Sequence, residues 1–294
     1  MRALCVAAGL LALAASGAAV AATPDPQQWR EVSLEDTLYI DTTQGRVVVE
    51  MYPDIAPNHV ARIKLLAREH FYDGLKFHRV VDKFMAQGGD PLGTGEGGSK
   101  YPDLVAEFRF RRSADMPFIL AASPAGALNG FYKNLPISTQ PNEVMMITKD
   151  AKADAWGLHC PGVASMARED AENTANSQFF LMRAAYPSLD KRYTIWGRVV
   201  WGEDVVRSLA VGAPPPKPDK MTSVRVAADL PEAERAPLYV MRTDSKDFAT
   251  ILADTKKKQG ADFSVCDIDV PARVADTKTG SKDVPWWRKI PLIP

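Results

Sequence analysis

Cysteine and histidine are scarce in this chain, with three of the first and four of the second among 294 residues. Cys5 lies in the N-terminal segment, which leaves Cys160 and Cys266. None of His59, His70, His78 and His159 stands at metal-ligand spacing from them, so no metal site is expected. Charge of one sign is also missing. Thirty-six Lys+Arg balance 36 Asp+Glu, and no strong field favours nucleic acid or an anionic membrane surface. Nucleic acid is therefore excluded as an expected partner. Beyond residue 21 no apolar run approaches the length of a bilayer span, and no internal repeat is visible. Gly93-Thr94-Gly95-Glu96-Gly97-Gly98 has the look of a phosphate loop. It lacks the lysine and the strand-to-helix setting, and Glu96 would repel phosphate.

What is present is ordinary globular composition, 46% hydrophobic and 24% charged. Met1-Arg2 followed by the apolar Ala3 to Val20, with Ala19-Val20-Ala21 as a small-x-small site, reads as a cleaved signal peptide over residues 1–22. Alanine and glycine make this run weakly hydrophobic for an uncleaved anchor. The mature protein is then expected to be periplasmic or secreted, with no membrane attachment after cleavage. In such an oxidising compartment Cys160 and Cys266 have two readings: a disulfide, or a buried core thiol and an independent residue in a C-terminal strand.

A lead-in over residues 23–35 precedes residues 37–52, two alternating runs around Thr43-Gln44-Gly45 that read as a hairpin. Pro57 opens a helix through about Glu69. Residues 77–86 are strand-like, residues 91–103 a glycine-rich loop, and residues 162–166, 178–183, 194–200 and 222–227 further strands, with a short amphipathic helix over residues 202–211. Short strands with two helices favour a mainly β fold, a closed antiparallel barrel over residues 36–230. Residues 112–157, carrying Pro117, Pro124, Pro136 and Pro141, read as a long irregular insertion. Residues 231–294 read as a small C-terminal α/β extension: a strand at 237–242, a helix at 246–258 and a strand at 262–268, then Trp286-Trp287-Arg288-Lys289. The run Lys256-Lys257-Lys258 is the solvated C-terminal end of that helix.

Phe77-His78-Arg79-Val80-Val81 with Phe84-Met85-x-Gln87-Gly88-Gly89-Asp90 is the first of three blocks that resemble one family. Ser165-Met166-Ala167-Arg168 with Asn176-Ser177-Gln178-Phe179-Phe180 is the second. Leu189-Asp190, Tyr193 and Gly197-Arg198-Val199 form the third. Together, in this order, they resemble the cyclophilin-type peptidyl-prolyl cis/trans isomerases, which implies that the closed antiparallel barrel is eight-stranded and capped by the two helices. The resemblance covers roughly residues 36–230 apart from the insertion. It does not reach the extension.

That resemblance implies chemistry without nucleophile, metal or cofactor. An Xaa-Pro bond turns slowly because amide resonance must be broken, a barrier of roughly 18–20 kcal/mol. A catalyst needs a slot for the proline ring and a cation for the nitrogen lone pair that appears in the twisted amide. By the resemblance, Arg79 is that cation, with Phe84 and Gln87 beside it as catalytic residues. Met85, Phe180 and Leu189 complete the proline slot. Gln178, Ala167 and Arg168 meet the substrate backbone, and Gln87 also orients Arg79. Tyr193 stands where many members carry histidine, and Arg168 replaces a commoner asparagine. Ser188 falls where many members have a tryptophan that contacts cyclosporin, so weak cyclosporin binding is expected. The expected partners are proline-containing unfolded or flexible polypeptides, and nothing in the sequence calls for more than a monomer.

An alternative reading is a non-catalytic peptide-binding or chaperone module, in which the insertion or the extension covers or redirects the cleft. A hydrolase is set aside for want of an activated Ser-His or Cys-His pair, since neighbouring strand residues such as His159 and Cys160 face opposite ways.

Overall fold

The computed structural model describes residues 24–235 and 237–274. The expected signal segment and the Trp286-Trp287-Arg288-Lys289 end lie outside these residues.

The lead-in carries a short strand, β1 (Trp29–Glu31). The first hairpin joins β2 (Thr37–Thr42) to β3 (Gly45–Met51), and Thr42 Oγ1 accepts from the N–H groups of Gln44 and Gly45 to set the turn. Helix α1 (Pro57–Arg68) starts on proline, whose missing N–H would be unsatisfied there in any case. The Glu107 carboxylate accepts from the N–H groups of Asn58 and His59 at 3.1 Å each, serving as a cap supplied from a distant loop. The strand-like stretch at 77–86 resolves into β4 (Arg79–Val81) and β5 (Met85–Gly88) around a turn.

Strand β6 (Phe110–Arg112) leads into the insertion, which contains β7 (Ile119–Ala122), β8 (Leu128–Tyr132), β9 (Leu135–Thr139) and β10 (Ala153–Gly157). These pair antiparallel in the order β6-β10-β9-β8-β7. The expected irregular excursion is therefore a five-stranded sheet. Pro117, Pro124 and Pro141 fall just outside strands, where they punctuate turns, and only Pro136 sits within one, in β9.

After the insertion come β11 (Val163–Met166), β12 (Phe179–Met182), β13 (Ile195–Trp201), helix α2 (Glu203–Ser208) and β14 (Met221–Val226). With the strands before the insertion they form an eight-stranded sheet in the order β14-β2-β3-β13-β11-β12-β5-β4. The sheet curls but stays open, contrary to the closed barrel expected. Its ends, β14 and β4, share no ladder and approach only through isolated bridges, Lys76–Lys220 and Val80–Gly212. Pro214, Pro215 and Pro216 follow one residue after Gly212, and residues without an N–H cannot extend that bridge into a strand.

The extension supplies β15 (Leu238–Met241), α3 (Lys246–Gln259) and β16 (Ala272–Val274). The second strand thus lies beyond the expected 262–268, where the chain makes single 3₁₀ turns. The lead-in joins this unit, because β1 pairs with β15 in a three-stranded sheet, β1-β15-β16. Cys160 and Cys266 are disulfide-bonded, 106 residues apart in sequence, so of the two readings of this pair the disulfide holds.

Strand alternation divides the large sheet into two faces. The concave face carries Val80, Ala86, Met166, Phe179, Leu181 and Trp196, which pack under α1 with Ile63 and Leu66. The convex face carries Met85, Phe180, Met182, Val163 and Ile195, and its far side is covered by Phe131, Leu135 and Ile137 of the insertion and by Val240 and Phe248 of the extension. The rings of Phe131 and Phe248 meet edge-on at 5.3 Å, which docks α3 on the inserted sheet.

A buried ion pair lies under this cover. Arg30 of β1 makes two 2.7 Å hydrogen bonds to the Glu50 carboxylate on β3 and one of 2.9 Å to Asn134 Oδ1 at the β8–β9 turn. Burial works against the Arg30 charge, and the Glu50 contact outweighs it, raising the guanidinium pKa. Glu50→Ala would leave Arg30 without its carboxylate in this setting, and a loss of about 3–5 kcal/mol in unfolding free energy is expected. Urea titrations of wild type and variant measure it.

Candidate functional site

The pairing register assembles the site. Arg79 lies opposite Gln87, Gln87 opposite Phe180, and Phe180 opposite Ser165, so four residues from β4, β5, β12 and β11 form one cross-strand row on the convex face. Met85 and Met182, one step along on the same face, are also opposite each other. Sequence blocks far apart in the chain are neighbours here because the sheet order places β11, β12, β5 and β4 side by side.

Arg79 is exposed, and its Nη1 donates to Gln87 Oε1 at 3.2 Å. Its guanidinium carbon lies 5.8 Å from the centre of the Phe84 ring. Gln87 Nε2 donates to Gln178 Oε1 at 2.9 Å. The Gln178 amide in turn donates to Gly95 O and Gly97 O, both at 2.8 Å. The expectation that Gln87 orients Arg79 is met by this geometry. Both Gln178 amide protons are held by the glycine loop, so it braces Gln87 and that loop.

Phe180 is buried, its ring edge-on to Tyr193 at 5.7 Å. Phe84 and Leu189 are half-buried and belong to the same apolar cluster as Met85. Arg168 does not project a free charge into the cleft. Its guanidinium lies 4.7 Å from the Tyr193 ring centre and donates to the carbonyls of Arg192, Glu169 and Asp170. Ala167 donates its N–H to Gln178 O at 2.9 Å.

Three features escaped the sequence reading. Tyr186, 43% exposed, packs its ring 4.4 Å from that of Phe84 and lengthens the aromatic wall. Phe108, at the root of the insertion, lies 5.8 Å from the Arg168 guanidinium and brings the inserted sheet to the cleft's edge. A cavity of about 210 Å³ adjoins Gln87 and Gln178, lined by Gly95, Gly97, Ala167 and Arg168, with the carboxylates of Glu96, Asp103 and Glu169 around it. A lone exposed tyrosine or acidic residue gives no sequence signal of its own; only the chain path puts these beside the row.

The glycine loop also finds its anion. Asp90 Oδ1 accepts from Leu92 N–H at 2.7 Å, and Oδ2 accepts from Thr94 N–H at 2.8 Å and Gly95 N–H at 2.6 Å. The loop that resembled a phosphate cradle wraps an internal carboxylate. Gly89, at a φ of +89°, makes the chain reversal that brings it there, and a Cβ at that position would meet Ser177 O at 2.5 Å.

A Ser-His-Asp chain is present too: His159 Nδ1 is 2.8 Å from Asp190 Oδ1, and Nε2 is 3.2 Å from Ser165 Oγ. It corrects the ground on which a hydrolase was set aside, though not the outcome. Ser165 is fully buried, His159 is 1% exposed, and the serine hydroxyl donates to Thr194 O at 2.9 Å. No substrate carbonyl can reach such a serine.

The fold and this row of residues define a cyclophilin-type isomerase. Residues 37–226 match the family model "Cyclophilin type peptidyl-prolyl cis-trans isomerase/CLD", and the chain belongs to that family. A protein of Brucella suis biovar 1 (strain 1330) named "Probable peptidyl-prolyl cis-trans isomerase" is 32% identical over 245 residues, 78% of this chain and 97% of its own length. A peptidyl-prolyl cis-trans isomerase of Synechococcus elongatus is 30% identical over 192 residues, 65% of this chain and 95% of its own. Among solved structures, cyclophilin AquaCyp293 from Hirschia baltica is similar with a TM-score of 0.80 and 38% identity, covering 85% of this chain and 95% of its own. That coverage exceeds the span of the family model, so the similarity reaches residues outside 37–226.

Burial alone would raise the Asp90 pKa, but the N–H bonds from Gly95, Leu92, Gly97 and Thr94 outweigh it and hold the carboxyl below its usual range. A depressed folded pKa contributes stability that is fully present above about pH 4 and lost as pH falls through the lower folded value. Acid titration of wild type is expected to release amide-exchange protection at Thr94 and Gly95 in that window, and Asp90→Asn is expected to remove this pH dependence.

Proposed function

We propose that this enzyme accelerates Xaa-Pro isomerisation in unfolded or flexible exported polypeptides, with Arg79 stabilising the twisted amide. The observation that carries the reading is the row Arg79–Gln87–Phe180, which runs from an exposed guanidinium to a buried ring on the convex face. Phe84, Met85, Phe180 and Leu189 form an apolar slot for the proline ring. The guanidinium beside that slot is held at one corner by Gln87, which leaves other N–H groups to donate to the prolyl nitrogen as conjugation breaks. Such a bond exists only in the twisted state, so it lowers the barrier without tightening ground-state binding.

The glutamine relay makes this cation a fixed one. Gln178 holds Gln87, and Gln87 holds Arg79, so the donor is oriented before substrate arrives. The uncovered position of Arg79 favours the enzyme over a scaffold with a blocked cleft, because the insertion and the extension pack elsewhere on the same face. Export is supported by the N-terminal pattern and by the Cys160–Cys266 disulfide, a bond that persists in oxidising compartments.

Prolyl exchange in a short Xaa-Pro peptide, measured by NMR with residues 23–294, tests the reading. Arg79→Ala is expected to lose activity by about 10²–10³-fold with an unchanged unfolding midpoint. A wild-type protein that is folded and gives no acceleration on several peptides overturns it. Ser188 is exposed at the rim and offers no ring, so cyclosporin binding is proposed to be weak. Ser188→Trp is expected to tighten it by about tenfold in calorimetric titration, the order of one added aromatic contact.

A further inference from the structure

We propose that His159 is a positioning residue for isomerisation, a clamp that fixes the rings and loops of the proline slot from behind. The proposal rests on the reading of that slot given above. His159 is 1% exposed and reaches no substrate, yet its contacts run to each side of the slot.

Its imidazole stacks behind Phe180 at 6.1 Å with the planes 23° apart, and stands edge-on to Tyr193 at 6.5 Å. Asp190 Oδ1 meets both the His159 side chain and its main-chain N–H, each at 2.8 Å, which fixes the residue following Leu189. Nε2 lies 3.2 Å from Ser165 Oγ, on the strand that ends beside Ala167 and Arg168. The His159 carbonyl accepts from Tyr186 N–H at 2.9 Å, and Tyr186 carries the ring against Phe84.

These contacts do for the apolar walls what Gln87 does for Arg79. A proline ring gains little from a slot whose own rings must be ordered on binding, because each ordering step opposes the gain. The effect on turnover is larger than on affinity, since the twisted amide must stay in register with Arg79 and small misplacements cost rate steeply. A ring of phenylalanine in this place would keep the stacking and the main-chain bond to Asp190 but lose the imidazole contacts to Asp190 and Ser165. Asparagine would lose the stacking area and keep a donor near the position of Nδ1.

The test uses the full mature chain with His159→Phe, His159→Asn and Asp190→Asn, the last as a milder lesion if the histidine variants fold poorly. For each, kcat and KM on one Xaa-Pro peptide are measured beside the aromatic NMR signals of Phe180. His159→Phe is expected to lower kcat about tenfold with KM changed less than twofold, and to shift or broaden the Phe180 ring signals. His159→Asn is expected to recover part of kcat, and Asp190→Asn to fall between His159→Phe and wild type. Wild-type kcat and unchanged Phe180 signals in folded His159→Phe and Asp190→Asn would overturn the clamp. So would equal losses in all three that follow only the unfolded fraction. The Phe180 signals are read without turnover, so they judge the clamp even if the wild type proves inactive and the isomerase reading falls.

Discussion

Glu50 sits on β3 with its carboxylate turned to the convex face, only 3% of the residue exposed. A lone charge there would cost several kcal/mol, and Arg30 removes that cost with two short hydrogen bonds. The pair is completed by Asn134, which also accepts from the Tyr52 hydroxyl at 2.5 Å. Arg198 donates to the Asn134 carbonyl and reaches Ile268 O at 3.4 Å. Lead-in, large sheet, insertion and extension therefore meet at one buried polar junction. None of the four can be moved without exposing unsatisfied groups of the others.

The junction matters to function because the large sheet has two apolar faces. The concave face is covered by its own curl and α1. The convex face would present a broad apolar patch to water, which soluble proteins seldom tolerate unless it serves a purpose. The inserted sheet and the extension cover one side of that face, and the Cys160–Cys266 bond fastens them. What they leave open is the strip bearing Arg79, Gln87 and Phe84. The cleft is the uncovered remainder of a surface that is otherwise core.

Behind the strip, polar groups are chained so that exposed ones are held by buried ones. Gln178 and the glycine loop around Asp90 brace the polar end. His159, Asp190 and Ser165 brace the aromatic end. The same three side chains in an open cleft would suggest acyl chemistry, and burial under Phe180 makes them structural support instead. Identical residue types take different roles according to what can reach them.

Local pattern determined much of this protein. The hairpin at 37–52, helix α1 and strands β11 to β14 follow from alternation, helical spacing and turn residues, which act within a few positions. The resemblance of three sequence blocks to one family also named the candidate site residues from Arg79 to Tyr193 before the fold was known. Other features were decided by tertiary structure alone. Prolines that read as breakers in the insertion lie between strands, and only pairing of β6 with β10 across the whole insertion reveals a sheet. The open seam depends on Val80 meeting Gly212, just ahead of Pro214 to Pro216. The pairing of β1 with β15, the Cys160–Cys266 bond and the role of Gln178 as a brace all join residues scores of positions apart. Separation in sequence carries no record of such distances, since they are set by burial of the convex face and by the need of its polar groups for partners.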